Sequence, residues 1–476
     1  MSTDGTSARA APSRRSAIAG LAGAAFAAGA VAGGAVPRLR DLGRRPAPLV
    51  PAGTGPLLWT ADVEVADERF FGPDAAGRLL LVERPFDASR RERSSALTCL
   101  DAATGHRLWS VPLPAEPGTP HSVVVSGSVV LVRTQGELQA LDLRTGRVRW
   151  RHERNATGSG TAAVTAGPGL VLDSAKDDNA ADRSAPHAVH AYETGGGRLR
   201  WRAVVEPRIM TAQAPVRAAG LLLGVATGLH RTKRTVFVYA LEAATGLQRW
   251  WRPVEPDTAA IPKATLTHAL NTVFVSLDGR VLYALDATTG AVRWRTRPRL
   301  RTGGSSGRAP TGADVPVVAG GAVHLCCADG VLRAFDARRG RQRWAFDTGE
   351  GPAATGSLQV GPRPIAEGGL LYVASRGTAA SDHRSTVHAL NAADGRVRWR
   401  RSADGSHGRP VMIMAAGALH VSDGEAVTAH DPLDGAVRRR LDLRALRLAG
   451  STGLLTDGAR LHVLASPQVL ALSLEK

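Results

Sequence analysis

The protein is a chain of 476 residues, 43% of them hydrophobic, with 53 glycines and 28 prolines. This composition supplies a large core and excludes a disordered chain, because glycine and proline stay below the share typical of one. The formal net charge is +18, but 56 of the 60 basic residues are arginines that are scattered along the sequence. We therefore do not expect a nucleic-acid-binding patch.

The first 36 residues have the features of an export signal. Paired arginines, Arg14 and Arg15, precede a run of Ala, Gly and Val from Ala17 to Val36, which is the pattern of a twin-arginine signal. The run is long enough to span a bilayer, so residues 17–36 are alternatively a membrane tether. Its high glycine content favours the signal. We predict export by the twin-arginine route to the cell envelope or the medium.

Residues 37–52, rich in proline and arginine, are predicted to be a linker, and residues 53–476 a single domain. One pattern recurs through this domain. A strand ending in Ala-Leu-Asp, a short turn with Thr-Gly or Asp-Gly, and a strand ending in tryptophan follow one another, as in VLYALDATTGAVRW. Eight of the nine tryptophans occupy this position or its N-terminal equivalent: Trp59, Trp109, Trp150, Trp201, Trp250, Trp294, Trp344 and Trp399.

Two further strand-like runs precede each copy, so each repeat of about 41–55 residues holds four strands. Four antiparallel strands at this period predict an all-β fold, a β-propeller with four-stranded blades. The strand around Trp59 is predicted to complete the last blade and close the ring. Nine Ala-Leu-Asp-like strands are present, but the eighth copy has Arg439 in place of tryptophan and the ninth is sparse. We therefore expect eight blades, although the count allows nine.

The recurring pattern A-x-D-x-x-T-G-x-x-x-W, seen at Ala284 to Trp294, resembles the tryptophan-docking repeat of the PQQ-like propeller family. The resemblance implies that each indole packs between neighbouring blades, which makes the eight tryptophans structural docking residues. It also implies one of two functions. Quinoprotein dehydrogenases of the family hold pyrroloquinoline quinone (PQQ) and calcium on the propeller axis. BamB-type scaffolds and the sensor regions of bacterial kinases bind no cofactor.

Two adjacent cysteines, Cys326 and Cys327, bear on this choice, because the dehydrogenases carry a vicinal disulfide against the quinone. Aligning Asp329-Gly330 with Asp278-Gly279 places Cys326 opposite Val275, in an apolar position, and Cys327 opposite Ser276. We therefore expect ordinary residues at the end of a second strand. After export the pair can be oxidised, to each other or through Cys99, although a mutual disulfide would strain a strand.

Other candidate sites are weaker. The carboxylates Asp173, Asp177, Asp178 and Asp182 could bind calcium, but their stretch lacks the glycine and the final glutamate of an EF-hand loop. Extra residues at about 84–96, 174–187, 227–235 and 376–386 lie between second and third strands. Together with the link 295–310, they are expected to emerge on one face of the propeller, where partners usually bind.

We therefore expect a monomeric, exported, non-catalytic scaffold that binds a protein or another envelope component through this loop face. No catalytic, cofactor-binding or metal-binding residue is assigned, and no cofactor is expected. Two alternatives remain open at this point. One is a quinone-dependent dehydrogenase with PQQ and calcium, and the other is an enzyme of another class with its site on the loop face.

Overall fold

The computed structural model describes residues between 57 and 474, in the ranges given below. Every regular element within the described residues is a β-strand, and they contain no helix long and apolar enough to cross a membrane. The predicted signal, tether and linker, residues 1–52, lie outside the described ranges. These ranges are 57–63, 77–83, 95–113, 122–134, 136–153, 163–167, 169–176, 187–205, 209–212, 215–230, 233–254, 264–301, 315–349, 364–375, 385–402, 410–446, 448, 451–465 and 468–474.

The strands form nine antiparallel sheets, which we call blades 1 to 9. The first strand along the chain, β1 (Leu57–Asp62), belongs to blade 9. Blade 1 contains β2 (Arg78–Glu83), β3 (Ala96–Asp101) and β4 (Arg107–Pro112). Blade 2 contains β5 (Ser122–Ser126), β6 (Val129–Arg133), β7 (Glu137–Asp142) and β8 (Val148–Glu153). Blade 3 contains β9 (Ala163–Gly167), β10 (Leu170–Lys176), β11 (His187–Glu193) and β12 (Leu199–Val204).

Blades 4 to 6 follow in the same strand order. Blade 4 contains β13 (Ile209–Ala212), β14 (Val216–Ala218), β15 (Leu221–His230), β16 (Lys233–Glu242) and β17 (Gln248–Val254). Blade 5 contains β18 (Ala264–Ala269), β19 (Thr272–Leu277), β20 (Val281–Asp286) and β21 (Val292–Thr296). Blade 6 contains β22 (Val317–Ala319), β23 (Ala322–Cys326), β24 (Val331–Asp336) and β25 (Gln342–Asp347).

Blades 7 to 9 end with the ring closure. Blade 7 contains β26 (Ile365–Glu367), β27 (Leu370–Ser375), β28 (Thr386–Asn391) and β29 (Val397–Ser402). Blade 8 contains β30 (Val411–Ala415), β31 (Ala418–Ser422), β32 (Ala426–His430) and β33 (Val437–Asp442). Blade 9 contains β34 (Ser451–Thr456), β35 (Arg460–Ala465) and β36 (Gln468–Ser473), together with β1. In blade 9 the order is β34-β35-β36-β1, so the first strand along the chain pairs antiparallel with the last. The predicted closure by the strand around Trp59 is thus confirmed.

The expected number of eight blades is wrong, because the described strands form nine. The eighth copy folds as a complete four-stranded sheet, β30 to β33, although Arg439 replaces its tryptophan. The sparse ninth copy becomes a full blade because β1 joins it. The prediction counted a missing tryptophan as a missing blade, but alternating apolar residues such as Leu419 and Val421 are buried in blade 8 as in the others.

The core of the propeller lies between the blades. Each pair of consecutive blades buries an apolar cluster between its facing sheets, as between blades 1 and 2, where Leu80 and Val82 pack with Val130 and Val132. A ninth cluster joins blade 9 to blade 1 around Trp59, Leu79 and Leu464. The ring is therefore closed by nine separate cores of the same kind: each one is the face of one sheet packed on the next.

Strand register repeats from blade to blade. One residue of each second strand stands opposite the alanine (cysteine in blade 1) that begins the Ala-x-Asp motif. We call this the motif-facing position. Apolar residues occupy it in six blades, and buried histidines occupy it in blades 6, 8 and 9. The nine residues are Leu80, Leu131, Leu172, Leu223, Phe274, His324, Tyr372, His420 and His462.

The motif aspartate builds the turn that follows. In blade 5, Oδ1 of Asp286 accepts hydrogen bonds from the backbone N–H groups of Thr288 and Thr289, both at 2.9 Å. This local pattern stabilises a tight turn, and Gly290 completes it at φ +70°. Seven residues after the aspartate, Arg293 donates to Oδ2 at 2.6 Å, and this hydrogen bond lowers the pKa of Asp286 to about 2.

Candidate functional site

The tryptophan positions are the most regular feature of the molecule. Seven indole Nε1 atoms donate to a backbone carbonyl of the next blade, at 2.8–3.2 Å. Each indole also lies against the turn glycine of that blade. A Cβ built on Gly340, for example, would stand 2.5 Å from the Trp294 ring. The glycine partners are Gly105, Gly146, Gly197, Gly246, Gly290, Gly340, Gly395 and Gly435.

Trp201 and Arg439 depart from this pattern. Trp201 lies against Gly246, but its buried Nε1 has no hydrogen-bond partner within the described part of the chain. Arg439 takes the tryptophan position in blade 8 and donates from Nη1 to the Ser473 carbonyl at 2.8 Å. Since β36 and β1 of blade 9 are not consecutive strands, no motif turn with a glycine joins them. An indole in blade 8 would thus have no glycine to contact.

The loop face is formed by the segments that join the second strand of each blade to the third. Several predicted insertions fall outside the described residues, namely 84–94, 177–186 and 376–384. The insertion of blade 4 is described to its tip, except for residues 231–232. Here β15 and β16 have ten residues each, and their register continues to the pair His230–Lys233.

This hairpin of blade 4 is longer than the second and third strands described in the other blades. In blade 5 the corresponding strands end at Leu277 and begin at Val281, so the blade 4 hairpin is longer by four residue pairs. At about 3.3 Å per residue this adds about 13 Å. Strand β13 pairs only with the outer half of β15, while β14 pairs with its inner half. We call residues 227–236 the arm.

The turn that contains the cysteines lies on the same face, in blade 6. Cys326 is the last residue of β23 and pairs with Leu332, while Cys327 begins the turn and is 5% exposed. The register corrects the sequence alignment by one residue. Cys326 corresponds to Ser276, which pairs with Leu282 in blade 5, and Cys327 corresponds to Leu277. The buried apolar position therefore holds Cys327, and Cys326 is half-buried.

The alignment failed because the Asp-Gly pair takes a different place in two connections of equal length. Ser276 and its partner Leu282 are six residues apart, as are Cys326 and Leu332, but Asp329-Gly330 comes one position later in its turn than Asp278-Gly279 does. The turns of blades 5 and 6 touch, and the Ala328 N–H donates to the Gly279 carbonyl at 3.3 Å. A Cβ on Gly279 would stand 2.9 Å from Ala328 N. Glycine is required there by close approach as well as by its positive φ.

A buried ion pair holds this turn. Arg333 donates from Nη1 and Nη2 to the two carboxylate oxygens of Asp329, each at 2.7 Å, and both side chains are at most 5% exposed. The Cys327 side chain is within hydrogen-bonding reach of Arg333. Burial would raise the pKa of Asp329, but hydrogen bonds from Arg333 and from the Arg301 N–H lower it below its ordinary value.

The link from blade 5 to blade 6 is fastened at the same point. The Arg301 N–H donates to Asp329 at 2.8 Å, and the Arg299 carbonyl accepts from Arg333 at 2.7 Å. The beginning of the link, as predicted for residues 295–310, therefore lies on the loop face, and residues 302–310 fall outside the described ranges. Asp329 and Arg333 carry no signal of the repeat, because they occur together in this one turn.

A second buried ion pair joins neighbouring blades on this face. Arg133, at the end of β6, donates from Nε to Asp173 of β10 at 3.1 Å. Asp173 is the first of the four carboxylates considered for calcium, and it is instead engaged in this pair. Residues 177, 178 and 182 are outside the described ranges. No group of three or more His, Cys, Asp or Glu side chains within those ranges is placed to hold a metal ion.

The described residues therefore offer no ligand set for the calcium that accompanies PQQ in the dehydrogenases. The carboxylates nearest the cysteines are satisfied by arginines, as Asp329 is by Arg333 and Asp347 by Arg301. The described residues of this face present turns, a projecting hairpin and charged side chains on a closed ring of blades.

Comparisons with known proteins agree with the fold. The sequence is 29% identical over 272 residues to the serine/threonine-protein kinase AfsK of Streptomyces griseus, covering 50% of this chain and 32% of the kinase. It is 26% identical over 336 residues to the outer membrane protein assembly factor BamB of Burkholderia pseudomallei, covering 63% and 80%. The chain thus spans about a third of the kinase's length.

A solved europium-containing methanol dehydrogenase superposes with a TM-score of 0.51 at 13% identity, covering 86% of this chain and 84% of that one. This likeness shows the fold alone. A family model described as outer membrane protein assembly factor BamB matches residues 49–228, 233–408 and 357–474. These matches include nearly all of the described residues, from blade 1 to blade 9. The chain therefore belongs to the family described as outer membrane protein assembly factor BamB, which is built on PQQ-like propeller repeats.

Proposed function

We propose that this protein is an exported, non-catalytic propeller scaffold that binds a protein partner of the cell envelope through its loop face. The observation that supports this most directly is the arm of blade 4. The segments joining first to second strands are short turns in the described blades, for example Leu270-Asn271 between β18 and β19. Extra length is found on the opposite face, where the arm projects. Variable loops on a rigid scaffold commonly carry binding.

Membership of the BamB family supports the scaffold reading, since the name of the Burkholderia relative refers to assembly rather than to a reaction. The eight tryptophans would then serve as docking residues between blades. This role accounts for their burial and for their repeated contact with a glycine of the next blade. It also leaves them unavailable as a binding surface, so that the partner would contact loops and not the repeat motif.

The test is partner capture with a matched pair of variants. In one, residues 227–236 are replaced by the three-residue turn of blade 5. In the other, Leu270→Asp changes a residue that is 65% exposed on the opposite face. Cross-linking in intact cells followed by mass spectrometry should yield a partner with the wild-type protein and with Leu270→Asp. The arm-shortened variant should lose it. Equal capture by all three proteins would refute the role of the arm.

The competing function is a PQQ-dependent dehydrogenase. It is tested because the fold is shared with a methanol dehydrogenase. Purified protein mixed with PQQ and Ca²⁺ should show neither retained quinone absorbance after gel filtration nor dye-linked oxidation of alcohols or sugars. Retained quinone would overturn the scaffold proposal.

The export route belongs to the same proposal. Arg14 and Arg15 precede the apolar run 17–36, so replacing both with lysine should hold the protein in the cytoplasm. Fractionation of cells that express the two forms measures this. A variant that is exported as efficiently as the wild type would show that the twin-arginine interpretation is incorrect.

The oxidation state of Cys326 and Cys327 after export is a separate question. The structure shows no disulfide between them. A mutual disulfide would have to form at the pair that Cys326 makes with Leu332 in the β-ladder. Thiol titration of the folded protein, before and after reduction, reports whether the exported molecule carries it.

A further inference from the structure

The interface between blades 8 and 9 is assembled differently from the other eight. Elsewhere an indole of one blade covers a glycine of the next. Here the guanidinium of Arg439 stands in the indole's place and reaches the Ser473 carbonyl. The apolar cluster of this interface includes Leu441, Leu461 and Leu472. A positive charge is thus held at the edge of an otherwise apolar core.

Arg439 is half-buried and makes no ion pair with a carboxylate of the described residues. Its neighbour Arg438 differs, because it is exposed and donates to Asp431 at 2.5 Å. Taking a cation partly out of water is costly unless an opposite charge accompanies it. The Ser473 carbonyl supplies a dipole but no negative charge. Among the described residues of the blade 8–9 interface, no carboxylate supplies a counter-charge for Arg439.

His420 lies next to this guanidinium. It occupies the motif-facing position of blade 8 and is 7% exposed. Its ring faces the Ala415 carbonyl, and its buried Nε2 has no hydrogen-bond partner within the described residues. Such an orphaned polar atom costs free energy unless a water or a ligand forms a hydrogen bond with it.

A small cavity lies where the two side chains meet. Its volume is about 20 Å³, and it is lined by both of them together with apolar residues. About 10–15 Å³ is enough for one water-sized occupant. The lining residues are His420, Val427, Ala429, Arg439, Leu441, Leu461, Leu472, Ser473 and Leu474.

We propose that this cavity binds one small monovalent anion of chloride size between Arg439 and His420, with uptake of one proton by His420. A protonated imidazole carries an N–H on both ring nitrogens, so Nε2 of the charged His420 can donate to the anion. The charged and titratable groups that face His420 are Arg438 and Arg439 of β33 and His430 of β32. The side that blade 9 contributes is Leu461, Leu472, Ser473 and Leu474, none of which titrates.

The anion would link blades 8 and 9, as a tryptophan–glycine contact links the other pairs of blades. It neutralises Arg439, satisfies Nε2 and joins blades 8 and 9. A ligand that binds only the folded state lowers the unfolding equilibrium constant in proportion to its concentration above Kd. Each tenfold rise in chloride above Kd should therefore lower that constant about tenfold. Because binding carries a proton, the effect should be larger at about pH 5 than at about pH 8.

The experiment compares denaturant unfolding in chloride, bromide and gluconate at equal ionic strength and at both pH values. We expect chloride and bromide to stabilise the wild-type protein relative to gluconate, mainly at the lower pH. Arg439→Gln should abolish the difference between the anions. Arg438→Gln, which removes an exposed charge from the same strand, should retain it. His420→Phe, which places the motif-facing residue of blade 5 in blade 8, should remove the pH dependence of the chloride effect.

Two results would overturn the proposal. One is equal stability in all three salts at both pH values, as expected of a cavity that holds only water. The other is an equal loss in Arg438→Gln and Arg439→Gln, as expected of general screening. Should Arg439→Gln fail to fold, bromide-soaked crystals of the wild-type protein decide the question. An anomalous peak beside Arg439 is expected, and its absence would contradict the site.

Discussion

At the scale of single residues, the contact between an indole and a glycine explains why the repeat is so strict. The turn glycine needs a positive φ, and it must also lack a side chain, because the indole occupies the space where a Cβ would lie. The two requirements separate experimentally, since Gly127 has a φ of +58° with no atom within 4 Å of an added Cβ, whereas Gly340 has a φ of +68° and Trp294 in contact.

Gly340→Ala and Gly127→Ala therefore form a matched pair. The Gly127 variant should lose about 1–2 kcal/mol of unfolding free energy, the cost of a left-handed backbone at an L-residue. The Gly340 variant should lose about 1–3 kcal/mol more, because its Cβ overpacks the interface. Denaturant unfolding of both proteins measures the difference. Equal losses of unfolding free energy in the two variants would mean that the Trp294 indole can move aside without a free-energy cost, and that it is not tightly packed against Gly340.

Buried histidines make the stability depend on pH. Burial lowers the pKa of His324 and of His388 to about 4, from an ordinary value of 6.5. The unfolded chain therefore binds protons between pH 6.5 and pH 4 that the folded chain does not. The contribution of each histidine to stability should be constant above this window, fall by about 1.4 kcal/mol per pH unit within it, and level off below it.

The substitution His324→Phe tests this dependence. Phe274 occupies the same motif-facing position in blade 5 and also stands opposite an alanine. Unfolding free energies measured from pH 7 to pH 4 should show a shallower acid limb for the variant than for the wild type. If the two curves stay parallel, protonation of His324 contributes nothing to acid unfolding.

At the scale of elements, the blade 6 turn shows how one irregular segment is held on a regular ring. The pair Asp329–Arg333 is buried and also fastens the preceding link through Arg299 and Arg301. Arg333→Met should cost about 3–5 kcal/mol of unfolding free energy, because it leaves the Asp329 carboxylate buried without its partner. The double variant Asp329→Asn, Arg333→Met should recover part of this loss. A double variant less stable than Arg333→Met alone would contradict the electrostatic account.

The elements also show what sequence reasoning could reach. Strands, motif turns and the closing strand around Trp59 were predictable, since the Ala-x-Asp to Trp pattern recurs and alternates with period two. The one-residue error at Cys326 and Cys327 arose because the pairing of the flanking strands sets the register, while the Asp-Gly pair takes a different place in the turn of blade 6. The Asp329–Arg333 pair and the Arg439 cavity depend on contacts between segments that no local pattern encodes.

At the scale of the whole molecule, the number of blades was misjudged for a related reason. Arg439 looked like a decayed repeat, but its interface faces the one blade whose third and fourth strands come from opposite ends of the described chain. Blade 8 lacks the tryptophan and blade 9 lacks the turn glycine that it would contact. Both absences are visible in the sequence, but only the closed ring shows that they belong to the same interface.

Strand β1 is the part of the molecule whose removal has the widest effect. Deleting residues 1–62 should leave the β36 edge unpaired and the Gly105 turn uncovered, and exposed edges promote association. Light scattering after gel filtration should show oligomers or aggregates. Deleting residues 1–52 keeps β1 and should leave the elution unchanged. A monomeric 1–62 deletion would show that β1 is dispensable for closure.

The direction of the tryptophan contacts carries one more consequence. Each contact is heterologous, since an indole always meets the glycine of the next blade and never another indole. A row of such contacts continues without limit unless it closes on itself. A molecule in which β1 has come free would offer a bare glycine turn and an open strand edge to the β1 of a second copy. Ring closure within one chain is thus what separates a monomer from a strand-exchanged filament.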